Sequence, residues 1–197
     1  MSLTRRSWSG VRFGRVWQGW VAMELRVLGP MEVYINGAVA ELTGARRRAL
    51  VAMLGVRPGQ ALSREEIAEA LWDGRPPPSA ASTVKGYVSK IRTVLGDDAL
   101  RTTPAGYAFQ LARPDVDATR FEDAVRRSMT ATAADATRVA ADLGDALSLW
   151  RGAALSEFRD AAWARAEASR LDNMHETALE RWVDVRLELG EHLALVP

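Results

Sequence analysis

Cysteine is absent from the 197 residues, and histidine occurs only as His175 and His192. The first absence excludes a disulfide framework and thiolate zinc sites and fits a reducing, cytoplasmic setting. The second leaves little for imidazole catalysis or metal ligation. No run of about 18 apolar residues occurs, so no membrane-spanning helix is expected. Also missing are a Gly-rich phosphate loop, a Walker pattern, a Gly-x-Ser-x-Gly elbow and a His/Glu metal motif. The expectation is therefore a non-enzyme without cofactor or metal. No acidic receiver pocket is present, so any switch has to come from another protein, a ligand or expression level. Lysine is nearly absent as well: Lys85 and Lys90 stand beside 24 arginines.

What is present is unevenly distributed. The net charge of +1 divides into +4 over residues 1–22, +2 over 23–112 and −5 over 113–197. A basic front and an acidic back point to two domains with different partners. Residues 1–22 contain Arg5, Arg6, Arg12 and Arg15 and no acid. Arg12 and Arg15 interrupt their apolar positions, which argues against a secretory signal. This stretch reads as a basic disordered arm, either an extension without a role or one whose arginines touch DNA phosphates. Met23 opens the first strongly patterned segment and is a second candidate start.

From Glu24 the pattern is that of strands. Leu25 and Val27, then Met31, Val33 and Ile35, alternate with other residues, and Asn36-Gly37 is a type I′ hairpin signal. Val39 and Leu42 are expected to continue this sheet. A helix is expected over about 45–54, with Gly55 near its end. Ser63-Arg64-Glu65-Glu66 is a capping box that starts a second helix, ended by Gly74 and Pro76–Pro78. A third helix spans about 79–95, where Val84, Val88, Ile91 and Leu95 form one buried stripe at spacings of 4, 3 and 4. Leu100–Thr103, a Pro104-Ala105-Gly106 turn and Tyr107–Leu111 make a final hairpin. After Pro114 only helical periodicity remains. One stripe is Phe121, Val125 and Met129; a second is Val139, Leu143, Leu147 and Trp150. A third runs through Leu171, Met174, Ala178, Trp182, Val185 and Leu189 to Gly190. Residues 191–197 resemble the first turn of another helix. Helices that must stack to bury their faces follow the logic of helical repeats.

The expected architecture is an α+β winged helix-turn-helix with an added antiparallel sheet over 23–112, followed by an all-α, TPR-like domain over 113–197. In such a fold the third helix enters the major groove and the wing meets the flanking backbone. The charge pattern agrees. No acid lies between Asp73 and Asp97, or from Leu42 to Arg64, and a face that docks on phosphates must exclude carboxylates as well as supply cations. Candidate DNA-binding residues are Arg46, Arg47 and Arg48; Ser82, Thr83, Lys85, Ser89, Lys90 and Arg92 on the third helix; and Arg101, Thr102 and Thr103 at the wing. Within this set Lys85 and Ser89 are placed at base edges, Lys90 and Arg92 at phosphates or in packing within the domain. The competing reading of these charges is a solvated helix face. Phe121, Trp150, Trp163 and Trp182 read as core before they read as partner-binding aromatics, and both histidines as structural or surface residues.

Residues 23–111 resemble the OmpR-type winged helix of the SARP family, the Streptomyces antibiotic regulatory proteins, through LRVLGPMEV, RRRALVAML, Leu71-Trp72, STVKGYVSKIRTVLG and TTPAGYAFQL. The segment after Pro114 resembles that family's bacterial transcriptional activation domain through VDATRFE, ALSLWRG and the helix carrying Trp163, Glu167 and Leu171. The resemblance implies activation of transcription, commonly of secondary-metabolite clusters. It further implies binding of double-stranded DNA at direct repeats near promoters, contact with RNA polymerase and self-association on DNA. It departs at the C-terminus, because family activation domains extend through further helices, so a fragment or truncated product is expected. The alternative is a protein-interaction adaptor built on a winged helix that no longer reads DNA.

Overall fold

A computed structural model describes residues 22–191. The arm, the expected turn after Glu191 and His192 therefore lie outside the described residues. The chain runs β1 (Met23–Arg26), β2 (Glu32–Ile35), β3 (Ala38–Val39), α1 (Ala45–Gly55), β4 (Ala61–Leu62), α2 (Arg64–Leu71), α3 (Ala80–Leu95), β5 (Leu100–Thr103), β6 (Gly106–Phe109), α4 (Asp117–Met129), α5 (Ala136–Leu147) and α6 (Ala162–Glu188). It is a winged helix-turn-helix preceded by an antiparallel sheet and followed by a helical half.

The first sheet has the order β1-β2-β3, with Leu25 opposite Val33 and Ile35 opposite Ala38. Its hairpin turns at Asn36 (φ 50°) and Gly37 (φ 82°), the two left-handed residues that a type I′ turn requires. Leu42 does not extend β3. It is buried in the following loop, and its carbonyl accepts from the Arg48 guanidinium at 3.2 Å. The second sheet has the order β4-β6-β5, and its first strand has only two residues, without the alternation that marks a strand. Gly106 belongs to β6 rather than to the wing turn. A side chain there would collide with the Leu62 backbone, so β4 and β6 approach at a position that only glycine permits. Gly55 likewise has a packing role: it is buried at the last position of α1, against Leu25.

The helices follow their local chemistry. Ser63 Oγ accepts from the Glu66 N–H at 3.1 Å while Glu66 accepts from the Ser63 N–H at 2.8 Å, the reciprocal capping box. α3 buries Ala80, Val84, Val88, Ile91 and Leu95. In α4 the stripe runs Phe121, Val125, Ser128. Met129 stands 60% exposed, while Ser128 takes the buried place by donating its hydroxyl to the Val125 carbonyl. Trp150 lies beyond the end of α5 and packs edge-on against Phe121, and its indole N–H is buried without a partner.

A single core joins the two halves, from Leu25 and Leu50 through Phe109 to Phe121, Leu143 and Val185. The joint is made by the backbone just after β1. The Val27 and Leu28 N–H groups donate to the Asp117 carboxylate at 2.8 and 3.0 Å, and their carbonyls accept from Leu155 and Arg151 N–H at 2.8 Å. All four polar groups of this buried dipeptide are thus satisfied by residues of the helical half.

Candidate nucleic-acid interface

Along α3, about 24 Å long at 1.5 Å per residue, the buried stripe faces α1 and α2 and leaves an opposite side in solvent. That side carries Ser82, Lys85, Gly86, Ser89, Lys90 and Thr93. Among the described residues Lys85, Lys90 and the Ser89 hydroxyl have no intramolecular polar partner, so their donors are free for a ligand. Ser82 and Thr83 differ: both hydroxyls donate to the Ser79 carbonyl, at 2.8 and 2.9 Å. A hydroxyl has one proton, so these two offer lone pairs to a base amino group rather than a donor to a phosphate.

Grooves flank this helix. One, toward the wing, is lined by Arg64, Ser82, Lys85, Ser89 and Thr102, with Asp97 as its one acid at the far end. The other, toward α1, is lined by Gly44, Arg46, Arg47, Thr83, Tyr87 and Lys90. The start of α1 adds to this second groove: its first turn has no acid and no side-chain cap, so its free N–H groups and positive dipole end remain available to an anion. Arg64 is absent from the sequence-based candidates. The signal for it was the end of the acid-free stretch at the first position of α2, a position whose direction becomes visible only when α2 packs on α3.

The arginines divide by what surrounds them. Arg101 is exposed at the wing with no polar partner among the described residues. Arg47 reaches only the Thr43 hydroxyl, at 3.2 Å. Arg46 donates to the Leu71 carbonyl at 3.3 Å and lies 5.0 Å over the Trp72 ring, which itself stacks on Tyr87. Arg92 spends its fork on the Leu100 carbonyl (2.6 Å) and Thr102 Oγ1 (2.9 Å), fastening α3 to β5. Thr103 donates to the Gly106 carbonyl at 3.3 Å and closes the wing turn. Arg48 turns away from α3. It donates to Glu157 at 2.6 Å and to the carbonyls of Met31 (2.5 Å) and Leu42 (3.2 Å), which occupies most of its donors and gives it to the joint between the halves.

The joint carries the perturbed carboxylates. Arg48 and the Met31 N–H hold Glu157 below the usual carboxylate range. Burial pushes the Asp117 carboxyl up, opposed by the N–H groups of Leu28, Val27 and Ala118 and by Arg151 at 3.7 Å. His175, 4.2 Å from Trp150 between ring centroids, is lowered by burial.

Comparison with known proteins agrees with this architecture. Residues 38–109 match the family described as "Transcriptional regulatory protein, C terminal", and residues 116–197 match "Bacterial transcriptional activator domain". The chain is 30% identical to Regulatory protein AfsR of Streptomyces griseus, over 89% of this chain and 18% of that protein. To Transcriptional regulator RedD of Streptomyces coelicolor it is 28% identical, over 80% and 47%; to Regulatory protein DnrI of Streptomyces peucetius, 27%, over 89% and 69%. The chain thus spans less than half the length of AfsR and of RedD. Its fold is that of Mycobacterium tuberculosis EmbR, solved with a low-affinity phosphopeptide, with a TM-score of 0.82 at 24% identity over 89% of this chain and 48% of that one. The two matched domains, in this order, make the chain similar to transcriptional regulators of the SARP type.

Proposed function

We propose that this chain is a sequence-specific DNA-binding activator of transcription that lays the solvent side of α3 along the major groove. Lys85 and Ser89 meet base edges; Lys90, Arg47 and the start of α1 hold phosphates on one flank, and Arg101 and Arg64 do so toward the wing. Arg92 and Thr102 act by fixing the wing to α3, and Arg48 has no part in the contact. Copies bind side by side on direct repeats near promoters, and the acidic helical half engages RNA polymerase. The regulated genes are of the secondary-metabolite kind that the family resemblance implies.

The observation that carries this reading is the solvent side of α3. It bears two unpaired lysines and a free serine hydroxyl on a helix with no acid from residue 74 to 96. An adaptor surface has no physical reason to exclude carboxylates from the whole helix that carries those cations; a phosphate-facing surface does.

The test is a titration of the protein with duplexes containing or lacking a direct repeat, across salt concentrations. The expected result is preference for the repeat and a log–log salt dependence whose slope falls by about 0.9 for each phosphate-contacting cation removed. Lys85→Glu and Lys90→Glu abolish binding at unchanged helix content. Absence of any duplex preference at low salt would overturn the proposal and leave the adaptor.

A further inference from the structure

Among the described residues three glycines lie inside α-helices, Gly55, Gly86 and Gly144, and they differ in what surrounds them. A Cβ on Gly55 would collide with the Leu25 side chain, and one on Gly144 would stand 3.3 Å from the Trp182 indole nitrogen. Both therefore make room for a neighbour within the molecule. Gly86 makes room for nothing internal. Apart from its chain neighbours and the helix backbone itself, no atom of the described residues comes within 4 Å of where its Cβ would stand. Its backbone does not demand glycine either, because it is helical and lacks a positive φ. Glycine is, after proline, the least favourable residue in a helix interior, yet Gly86 is the seventh of the sixteen residues of α3. The helix is weakened there and gains no packing in exchange.

The position is the one where α3 would come nearest to a duplex. Two residues, about 200° of helix, separate Gly86 from the buried Val84 and Val88 on either side, so it points away from the core. Ser82 and Lys90 lie one turn before and after it, Lys85 and Ser89 flank it, and all four are exposed. The N–H and C=O groups of a helix interior bond to each other, so this bare turn is a notch walled by C–H groups, without a free donor or acceptor. A phosphate oxygen gains nothing from such a notch. An apolar group does, and the one methyl group that bases display in the major groove is the 5-methyl of thymine. Resting on the DNA-binding reading above, we infer that Gly86 is a specificity-determining residue: its missing side chain admits the 5-methyl group of a thymine into the surface of α3, while Lys85 and Ser89 reach the neighbouring base edges. An alanine at this position would put its own methyl group where the thymine's has to go.

The experiment starts from duplexes that the wild-type chain enriches from a random pool. Each thymine of an enriched duplex is replaced in turn by deoxyuridine, which removes the 5-methyl group and nothing else. Affinity for these duplexes, and the melting temperature of the free protein, are measured for wild type and Gly86→Ala. At one thymine position the wild type is expected to lose about fourfold, the worth of one buried methyl group. Gly86→Ala should bind the thymine duplex about tenfold more weakly than wild type does. It should also prefer the deoxyuridine duplex to the thymine one, a reversal that arises when two methyl groups compete for one space. Its melting temperature should rise by roughly 2 °C, as a glycine-to-alanine change at a compatible helix position does, so weaker binding is not unfolding. Unchanged affinity in Gly86→Ala would overturn the proposal, as would a lowered melting temperature or a loss that no deoxyuridine replacement mirrors. A wild-type chain that enriches no duplex at all would overturn the DNA-binding reading itself, and this inference with it.

Discussion

Cationic side chains have opposite surroundings on the two sides of the N-terminal half. On the α3 side Lys85, Lys90, Arg47 and Arg101 face solvent without a carboxylate partner. On the opposite side, at the joint with the helical half, every arginine meets an acid: Arg48 with Glu157, Arg151 with Glu32 and Asp117, Arg120 with Glu24. Positive charge is thus poised for an outside anion on one face and holds the molecule together on the other. The difference lies in the acceptors nearby, not in the cation.

The largest expected effect on stability is at Asp117. Asp117→Ala leaves the buried N–H groups of Val27 and Leu28 unpaired and should destabilise the fold by about 3 kcal/mol, read by urea denaturation. On the α3 face, Lys85→Glu and Lys90→Glu should each abolish detectable duplex binding, a loss of at least about tenfold, the first by removing a base-edge contact, the second a phosphate contact, and both by setting a carboxylate against the duplex, while the melting temperature stays put. Arg48→Ala should cost roughly 1 kcal/mol, small because the pair is partly in water, and leave duplex binding unchanged.

The smallest expected effect is with pH. Glu157 is held low by Arg48, so its folded value lies below its unfolded one. Its contribution is complete above the usual carboxylate range and is lost as pH falls through the folded value. His175 is also lowered, from the ordinary imidazole value of 6.5, so stability should begin to fall as pH drops below that value. A thermal-melt series on wild type and His175→Gln separates the two, because only the wild type should show the upper step.

Much of this was legible in the sequence because it is local. The capping box at Ser63–Glu66, the 4-3-4 stripe of α3 and the Asn36-Gly37 turn are each decided by residues within a few positions of one another. The same helical phase shows which side of α3 meets solvent. What stayed hidden depends on distant residues. β4 is two residues long and exists because β6 lies beside it. Arg48 reads like Arg46 and Arg47 in a basic run until Glu157, 109 positions on, arrives beside it. Asp117 looks like an ordinary helix-start acid, and only the folded chain shows its carboxylate capping the end of β1. Met129 fits the apolar spacing of α4, but the helix has run past the core by then, and Ser128 can be buried because the backbone accepts its proton.

The most direct measurement compares duplex affinity, at fixed salt, for wild type, Lys85→Glu, Lys90→Glu and Arg48→Ala. If α3 presents its free cations to DNA while the joint keeps its own, both lysine variants should lose the duplex and Arg48→Ala should bind like wild type. Lysine variants that bind normally, or an Arg48 variant that loses the duplex without losing its fold, would contradict the account.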